Sequence, residues 1–367
     1  MQRVDAFWHD DVLRHDTGAG VFDAEPQDWL EVPETHAENA ERVRNMRGIL
    51  RAGPLADRVE WHDGRHATVE ELTTLHDPDY VAEVEAACAR GHVFTRTTLV
   101  APGSWEAIRA AAGTALTAAD AVLDGGSELA YALVRPPGHH ASQRSADGYC
   151  FVNNTALAAE RARRHGLDRV AIIDWDVHHG NGTQTLFYDR DDVLTISFHM
   201  RHRSWGASHP ESGAPDEVGR GAGEGLNVNI ELPLGTGNGG YLNAWDRIVA
   251  PVVASFAPDL VIIASGQDAN QYDPNARQSV DMDGFRGLGE RARALADRHG
   301  GRLLMVQEGG YSRTYSALCL HASLEGVLGT GKLLDDPVAF LPDQPERAEE
   351  AIEAVRAAHA PYWTVLR

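Results

Sequence analysis

The chain has 367 residues, 43% of them hydrophobic, and its 54 acidic and 33 basic residues give a formal net charge of −21. This acidity opposes binding to nucleic acid or anionic membranes and favours the approach of cationic ligands such as amines. No apolar stretch approaches the roughly 18 residues that a membrane helix needs, so the composition indicates a soluble globular protein.

The predicted elements follow in chain order. The first residues, MQRVDAFWHDD, are acidic where a signal peptide carries basic residues before an apolar core, which predicts a cytoplasmic protein. Short β-branched runs bounded by turn residues predict strands at residues 129–134, 169–173, 193–198, 260–264 and 303–306. Ala-rich amphipathic segments predict helices at residues 105–123, 154–165, 241–256, 284–299 and 315–328.

The alternation of these elements predicts the fold class. Near-continuous apolar strands that alternate with helices indicate a central, mostly parallel sheet covered on both faces, which is a three-layer α/β/α arrangement. The sequence has no evident repeat or Pro-rich linker, so we expect one domain over residues 1–367. Gly and Pro concentrate at residues 136–148 and 204–240, and these loops are expected to border one pocket beyond the carboxyl ends of the strands.

Two adjacent histidines follow the first predicted strand, in RPPGHH at residues 135–140. His139 and His140 could transfer protons, because imidazole titrates nearest to neutral pH, although such a segment alone is more often a surface turn. Each imidazole needs an orienting acceptor, and Asp174 and Asn181 are available farther along the chain. A carboxylate raises the basicity of its histidine, whereas an amide only orients it.

The next predicted strand runs directly into DWDVHHGN at residues 174–181. If the strand continues, its two-residue period places Asp174, Asp176 and His178 on one face. Three ionisable groups in this position are costly to desolvate without a partner, which favours a metal ion.

A zinc site with catalytic function usually takes three protein ligands and leaves one position for water. Asp268, after the predicted strand at 260–264, is the candidate third ligand, although an acidic residue here commonly caps a following helix. The three cysteines have no CxxC spacing, so any metal is expected to use histidine and carboxylate ligands.

A tyrosine follows the last predicted strand, in QEGGY at residues 307–311. The paired glycines would let this loop bring the Tyr311 hydroxyl to the pocket, where a phenol can donate to a developing oxyanion. A buried core tyrosine is the alternative for this motif taken alone.

Together, these segments resemble the histone deacetylase superfamily, in particular its bacterial class II-like amidohydrolases and acetylpolyamine amidohydrolases. The resemblance covers roughly residues 30–330. The matching pieces are HAEN at 36–39 with Arg42, LHDPDY at 75–80, RPPGHH at 135–140, GYCFVNN at 148–154, DWDVHHGNGT at 174–183, ISFH at 196–199, SGQDA at 265–269 and EGGY at 308–311.

The resemblance implies an arginase/deacetylase-like fold and a zinc-dependent deacylase. Water would attack the acyl carbonyl with His140 as general base, and the same histidine or His139 would protonate the leaving amine. The other implied roles are zinc ligation by Asp176, His178 and Asp268, pairing of His139 with Asp174 and of His140 with Asn181, and polarisation of the carbonyl by Tyr311.

Further positions follow from the resemblance. Tyr149 would form one wall of an acyl-amine tunnel, with Gly148 and Gly310 bordering the substrate, whereas residues 204–210 lack the Phe that usually supplies the opposite wall. Family members also bind structural potassium, and the matching positions are Asp174, Asp176, His178, Ser197 and Phe198 at a first site and Phe187, Arg190 and Val193 at a second.

The sequence leaves the substrate open between acetylpolyamines and acyl-lysine proteins. Asn181 matches the class II-like and polyamine branches, and Tyr311 is typical of active deacetylases. Homo-oligomeric assembly is expected from the resemblance, with residues 201–225 as a possible contact segment.

Two other functions compete with deacylation. An arginase-type ureohydrolase shares the fold but needs a second metal ion, and Gly180 stands where its DxHxD pattern requires Asp. A catalytically silent protein that binds acylated amines would typically lack a ligand or a proton-transfer residue, and this sequence keeps them all.

Overall fold

A computed structural model of the chain describes residues 2–18, 28–32, 34–201 and 212–367. Its strands are β1 (Val4–Trp8), β2 (Val59–Asp63), β3 (His92–Val93), β4 (Leu99–Val100), β5 (Leu129–Ala132), β6 (Val170–Asp174), β7 (Val193–Met200), β8 (Asn227–Leu232), β9 (Leu260–Ser265) and β10 (Leu303–Gln307). Its α-helices are α1 (Ala40–Ala52), α2 (Val69–Leu72), α3 (Pro78–Arg90), α4 (Ser104–Leu123), α5 (Asn154–Arg164), α6 (Asn181–Phe187), α7 (Asn238–Ala244), α8 (Ala250–Phe256), α9 (Met282–Arg298), α10 (Tyr315–Leu328) and α11 (Glu349–His359).

Eight strands form one sheet in the order β2-β1-β5-β10-β9-β6-β7-β8, and every pairing in it is parallel. The predicted parallel sheet is therefore confirmed. All five predicted strands lie in it, and β3 and β4 form a separate antiparallel pair.

Successive residues of the central strands enter two different cores. In β6, Ala171 and Ile173 pack in one hydrophobic cluster with residues of α1 and of α7 to α11. Val170 and Ile172 pack in another cluster, with residues of α4 and α5. Because side chains alternate between the faces of a strand, the two clusters lie on opposite faces of the sheet. This confirms the three-layer α/β/α prediction.

The segment predicted as one helix at residues 241–256 has a wider turn in its middle. A π-helical stretch, Trp245–Val249, joins α7 to α8. Its end carries a hydrogen bond from the Ala250 amide to the Trp245 carbonyl, and Pro251 follows at the start of α8. Proline cannot donate a backbone hydrogen bond, so the regular α-helical ladder is interrupted beside it.

The topology brings the predicted catalytic segments to one edge of the sheet. The strands that precede them, β5, β10, β9 and β6, are consecutive neighbours. Because they are parallel, their carboxyl ends lie at the same edge.

The described residues contain no helix with the length and apolar character needed to cross a membrane. Residues 204–210, where the sequence leaves the opposite tunnel wall open, lie outside the described residues.

Candidate active site

The loop after β6 carries two of the predicted metal ligands. The condition that the strand continues through this segment is not met, because β6 ends at Asp174. The Asp176 amide donates to Asp174 Oδ1 at 3.0 Å, and the His178 amide donates to Asp176 Oδ1 at 3.0 Å. These side-chain acceptors replace the ladder bonds of a strand and form two successive turns.

Asp176, His178 and Asp268 nevertheless converge. One ligand atom of each lies within 4.8 Å of those of the other two. His178 Nδ1 is 3.1 Å from Asp176 Oδ1 and 3.1 Å from Asp268 Oδ2. Asp268 follows β9 and caps no helix, since the next helix, α9, has Asp281 as its N-cap. The three residues form a compact donor set of one imidazole nitrogen and two carboxylates.

Backbone groups fix the remaining atoms of this donor set. The Gly309 amide donates to Asp176 Oδ2 at 2.7 Å, and the Val177 amide donates to Asp268 Oδ1 at 2.8 Å. His178 Nε2 lies 3.3 Å from the Asn275 carbonyl, which can accept its proton and leave the lone pair on Nδ1. One oxygen of each carboxylate and one imidazole nitrogen therefore face a common point.

The electrostatics of this cluster fit a divalent cation. Asp176 and Asp268 are fully buried, and burial together with the neighbouring Asp176 charge raises the pKa of Asp268 to about 8. Two buried carboxylates at this separation repel each other unless a positive charge lies between them. Imidazole nitrogen and carboxylate oxygen are zinc ligands, and three of them leave a position open, so the residues fit a catalytic zinc ion.

The two histidines of RPPGHH lie beside this cluster with the predicted partners. His139 Nδ1 is 2.9 Å from Asp174 Oδ2, and His140 Nδ1 is 2.7 Å from Asn181 Oδ1. The two rings lie 4.0 Å apart between centroids. One imidazole thus has a carboxylate partner and its neighbour has a neutral amide partner.

The charge environment of His139 is strongly acidic. Burial alone would lower its pKa, but the carboxylates of Asp176 and Asp174 outweigh burial and raise it. Glu308 fixes the same loop, because its Oε2 accepts hydrogen bonds from the amides of Gly138 and His139 at 2.6 and 3.1 Å. His139 is therefore tightly positioned among carboxylates.

Gly148 and Tyr149 border the histidines. A Cβ at Gly148 would lie 2.2 Å from His140 Cδ2, so its backbone packs directly on the imidazole. The Tyr149 ring lies 5.5 Å from that of Tyr311, edge to face, and its hydroxyl accepts from Asn275 Nδ2 at 3.2 Å. Tyr149 and Tyr311 therefore meet at the same side of the cluster.

Tyr311 is buried, with its ring centroid 6.4 Å from that of His178. Burial and the Asp176 charge keep the pKa of its phenol far above the ordinary value. Its backbone amide donates to Asp273 Oδ2 at 2.7 Å. Gly310, which precedes it, has φ +121°, a conformation that favours glycine.

A buried ionic network that the motifs alone did not explain supports these loops. Glu38 accepts from Arg42 Nε at 3.0 Å and from Arg135 Nε at 2.8 Å, and both arginines are buried. Arg42 also donates to the Glu308 carbonyl and lies 5.4 Å from the Tyr311 ring centroid. The matching HAEN and Arg42 residues signalled this network, but their role needs the tertiary contacts.

The positions predicted to bind potassium fall in two places. Ser197 lies beside Asp174 in the β6–β7 pairing, next to the cluster, while the Phe198 ring stacks on Tyr241 in the core. Phe187 and Val193 pack in the hydrophobic cluster with α4 and α5, and the Arg190 guanidinium binds Asp192 and Glu160.

The second metal site of an arginase lacks its ligands. A side chain at Gly180 would place its Cβ 2.5 Å from Asp174 Oδ2, so no carboxylate fits there. Asn270, two residues after Asp268, donates its amide to the Gln267 carbonyl. In the described part of the chain, no further acidic residue joins the Asp176, His178 and Asp268 group.

Known proteins are similar to this chain in sequence and in fold. Residues 36–327 match the model of the histone deacetylase domain family. The chain is 50% identical to "Histone deacetylase 8" of Arabidopsis thaliana, covering 100% of this chain and 98% of that protein. It is 40% identical to "Histone deacetylase-like amidohydrolase" of Pseudomonas aeruginosa, covering 92% and 90%.

Two further matches extend the comparison. The chain is 37% identical to human "Polyamine deacetylase HDAC10" over 91% of this chain, and it spans 50% of that longer protein. The solved HDA15 HD domain superposes with a TM-score of 0.84 at 32% identity, covering 100% of this chain and 96% of that one. The chain therefore belongs to the histone deacetylase family and is an amidohydrolase with the arginase/deacetylase fold.

Proposed function

We propose that the protein is a zinc-dependent hydrolase that removes the acyl group from acetylated amines such as acetyl-lysine or acetylpolyamines. The observation that carries this proposal is the convergence of Asp176, His178 and Asp268 beside two imidazoles with different partners. A zinc ion held by these three residues supplies a Lewis acid that polarises the acyl carbonyl and acidifies water.

The unequal partners of the two histidines divide the proton transfers. His140, oriented by the neutral Asn181 amide, takes the proton of the attacking water as the new C–O bond forms. His139 pairs with the Asp174 carboxylate at 2.9 Å, so in its protonated form it can stabilise negative charge that develops on the substrate. As the C–N bond breaks, the amine nitrogen receives a proton from His140 or from His139, and the products are a carboxylate and a free amine.

Tyr311 acts as a hydrogen-bond donor to the acyl oxygen. Its raised pKa keeps the phenol protonated, which a donor requires. The Asp273 and Arg42 contacts fix its backbone and ring. Loss of one such donor typically lowers kcat by about 10² to 10³.

The substrate reaches these groups through a cleft of about 420 Å³ whose lining includes Tyr311. Tyr149, Gly148 and Gly310 would hold the acyl-amine chain closer to the zinc ligands. Glu34 and Arg313 stand in the same lining, so the mouth carries charge of both signs. This leaves both acetylpolyamines and acetyl-lysine peptides as substrates to test.

Other properties rest on the resemblance. We place potassium at the two sets of positions named above; the pairing of Asp174 with Ser197 beside the zinc ligands supports the first set. A cytoplasmic location, a single domain over residues 1–367 and assembly as a homo-oligomer belong to the same proposal. The net charge of −21 supports the absence of nucleic acid and anionic membranes among its partners.

Acetate release tests the proposed function. Zinc-loaded protein is incubated with N-acetylputrescine, N8-acetylspermidine and an acetyl-lysine peptide, with Tyr311→Phe as the matched variant. We expect turnover of at least one substrate and a loss of about 10² to 10³ in kcat in the variant. Zinc-loaded wild type that releases no acetate from any of them would refute the deacetylase proposal and favour a binding role.

A further inference from the structure

A second group of potential metal ligands lies outside the active site. His9, Asp11 and His66 offer two imidazole nitrogens and one carboxylate oxygen, all within 4.8 Å of one another. His66 Nε2 is 2.9 Å from Asp11 Oδ2, and the rings of His9 and His66 lie 4.6 Å apart between centroids. The proposed function uses none of these three residues.

Local structure brings the three side chains together. His9 follows β1 and caps the 3₁₀ turn Asp10–Leu13, where its Nδ1 accepts the Asp11 amide at 3.1 Å. His66 lies in the loop after β2, the strand next to β1, and the Gly64 amide ties this loop to the Trp8 carbonyl. The ligands therefore stand on adjoining, hydrogen-bonded segments that are distant in sequence.

The chemistry of this group suits a borderline transition metal. The side chains of Asp11 and His66 are 27% and 32% exposed, so a hydrated ion can reach them and keep some of its water. The neutral His9 ring has its lone pair on Nδ1, because that atom accepts the Asp11 amide. Imidazole ligands select zinc, nickel or copper over magnesium and calcium, which prefer oxygen.

We propose that His9, Asp11 and His66 form a second, solvent-accessible site for a divalent transition-metal ion. The ion takes the lone pairs of the two imidazoles and one Asp11 oxygen, and water completes its coordination. It replaces the His66–Asp11 hydrogen bond, and the Asp11 amide turns from His9 to water.

The site would clamp a segment that supports the catalytic loop. The carbonyls of Val12 and His15, just after the site, accept from Arg135 Nη1 at 3.3 and 2.6 Å. Arg135 begins the RPPGHH segment and is fully buried. A metal that joins the 3₁₀ turn to the loop after β2 therefore stabilises the wall behind the catalytic histidines.

This site is separate from the zinc cluster. In sheet order, β1 is three steps from β9 and four steps from β6, the two strands that precede the zinc ligands. At about 4.8 Å per step, β1 lies roughly 14 Å from β9 and roughly 19 Å from β6 across the sheet. Loss of the second site should therefore leave the catalytic zinc bound.

Metal stoichiometry tests the proposal. Metal-free protein is equilibrated with excess Zn²⁺ and, separately, Ni²⁺, and the bound metal per chain is measured by dialysis and mass spectrometry. We expect a second equivalent in the wild type, and its loss in His66→Ala and in Asp11→Asn. The control is His62→Ala, because His62 pairs with Asp5 at 2.9 Å without belonging to a three-ligand group. It should keep both equivalents.

Two further measurements, of the melting temperature and of chemical modification, test the same proposal. The second equivalent should raise the melting temperature of the wild type and not of His66→Ala. In the wild type, the second metal equivalent should also protect His9 and His66, and not His62, from modification by diethyl pyrocarbonate. This measurement does not depend on the folding of any variant. A single equivalent at saturation, a second one that survives in both site variants, or absence of protection would each overturn the proposal.

Discussion

At the scale of single residues, glycines shape the site as much as the charged groups do. A Cβ at Gly309 would come within 2.2 Å of Asp268 Oδ2, and one at Gly266 within 2.2 Å of Asp176 Oδ2. Non-bonded contacts of a Cβ atom are essentially never this short in real structures. Any side chain at either position would therefore displace a carboxylate. The absence of side chains at these positions therefore sets the geometry of the Asp176 and Asp268 carboxylates.

Gly148 gives this argument a test at His140. Gly148→Ala places a methyl group 2.2 Å from the imidazole, and a displaced general base should lower kcat by about tenfold or more. The zinc content should not change, because Gly148 touches no metal ligand in its near contacts. Both quantities are measured on the same preparation.

The control for this variant separates backbone strain from the clash. Gly125 also has a positive φ, +76°, but a Cβ there meets nothing within 4 Å. Gly125→Ala should therefore lose some stability and keep its kcat. Equal losses of kcat in the two variants would contradict the role given to the Gly148–His140 contact.

The partner of His140 sets the pH range of activity. Asn181→Asp puts a carboxylate 2.7 Å from Nδ1 in place of an amide oxygen. A carboxylate favours the protonated imidazole, so the general base is lost at a higher pH and the acidic limb of kcat/KM moves up by about one unit. Asn181→Ser, which adds no charge, should lower kcat without moving the limb. An unmoved limb in the aspartate variant would assign the base to another group.

The motifs contain most of this residue-scale picture, since the two histidines with their partners and the three residues predicted as metal ligands lie close together in the structure. The turns after Asp174 do not follow from the two-residue period. They depend on side-chain acceptors at Asp174 and Asp176, which compete with the ladder of a strand. The ion pair between Glu38 and Arg135 could not be predicted either, because the two residues lie about a hundred positions apart in the sequence.

At the scale of elements, sequence patterns revealed five strands with two apolar faces and missed both edge strands of the sheet, β2 and β8. β2 is an edge strand with only partial burial along its length, so it has no apolar run. β8, at the other edge, contains the buried Asn227 and Asn229, which donate to Gln184 Oε1. Polar residues satisfied by a distant side chain cannot be recognised as strand core from sequence alone.

The C-terminal helix α11 contains a titratable group that ties its stability to pH. His359 is fully buried, neither ring nitrogen has a hydrogen-bond partner among the described residues, and burial lowers its pKa to about 4 from 6.5. Below pH 6.5 the unfolded chain binds a proton here that the folded chain does not. Folding therefore loses about 1.4 kcal/mol per pH unit between pH 6.5 and 4 through this histidine.

His359→Leu should remove this dependence. Relative to the wild type, the free energy of unfolding of the variant should rise by about 2 kcal/mol between pH 7.5 and pH 5. Urea titrations at the two pH values measure it, and the difference between proteins cancels the contributions of other groups. His92→Leu, at an exposed position, is the control. A difference that does not vary with pH would show that His359 is charged in the folded protein.

At the scale of the whole molecule, the sheet order assembles a site from segments that are far apart in sequence. Four neighbouring strands, in the sheet order β5-β10-β9-β6, each precede one residue of the site. In the same order, these residues are His139, Tyr311, Asp268 and Asp176. The parallel sheet could be predicted from alternating elements, but the strand order could not, because buried apolar strands are interchangeable by pattern. The prediction that these residues form one site therefore rested on the resemblance of the motifs and not on the strand order.

The net charge of −21 should act on substrates before they bind. A strongly acidic protein raises the local concentration of cations, and salt weakens this effect because the Debye length falls from about 10 Å at 0.1 M to about 3 Å at 1 M. For an acetyl-lysine peptide flanked by lysines, kcat/KM should fall about threefold or more between low and high salt. A peptide flanked by serines should change less than twofold.

The measurement varies tetramethylammonium chloride at constant potassium, so that any potassium site stays equally occupied. Steering acts on encounter, so kcat should stay constant while KM for the lysine-flanked peptide rises with salt. Equal losses for both peptides would mean that salt acts on the protein and not on the approach of the substrate. A salt response of kcat would point the same way, and the acidity would then serve solubility alone.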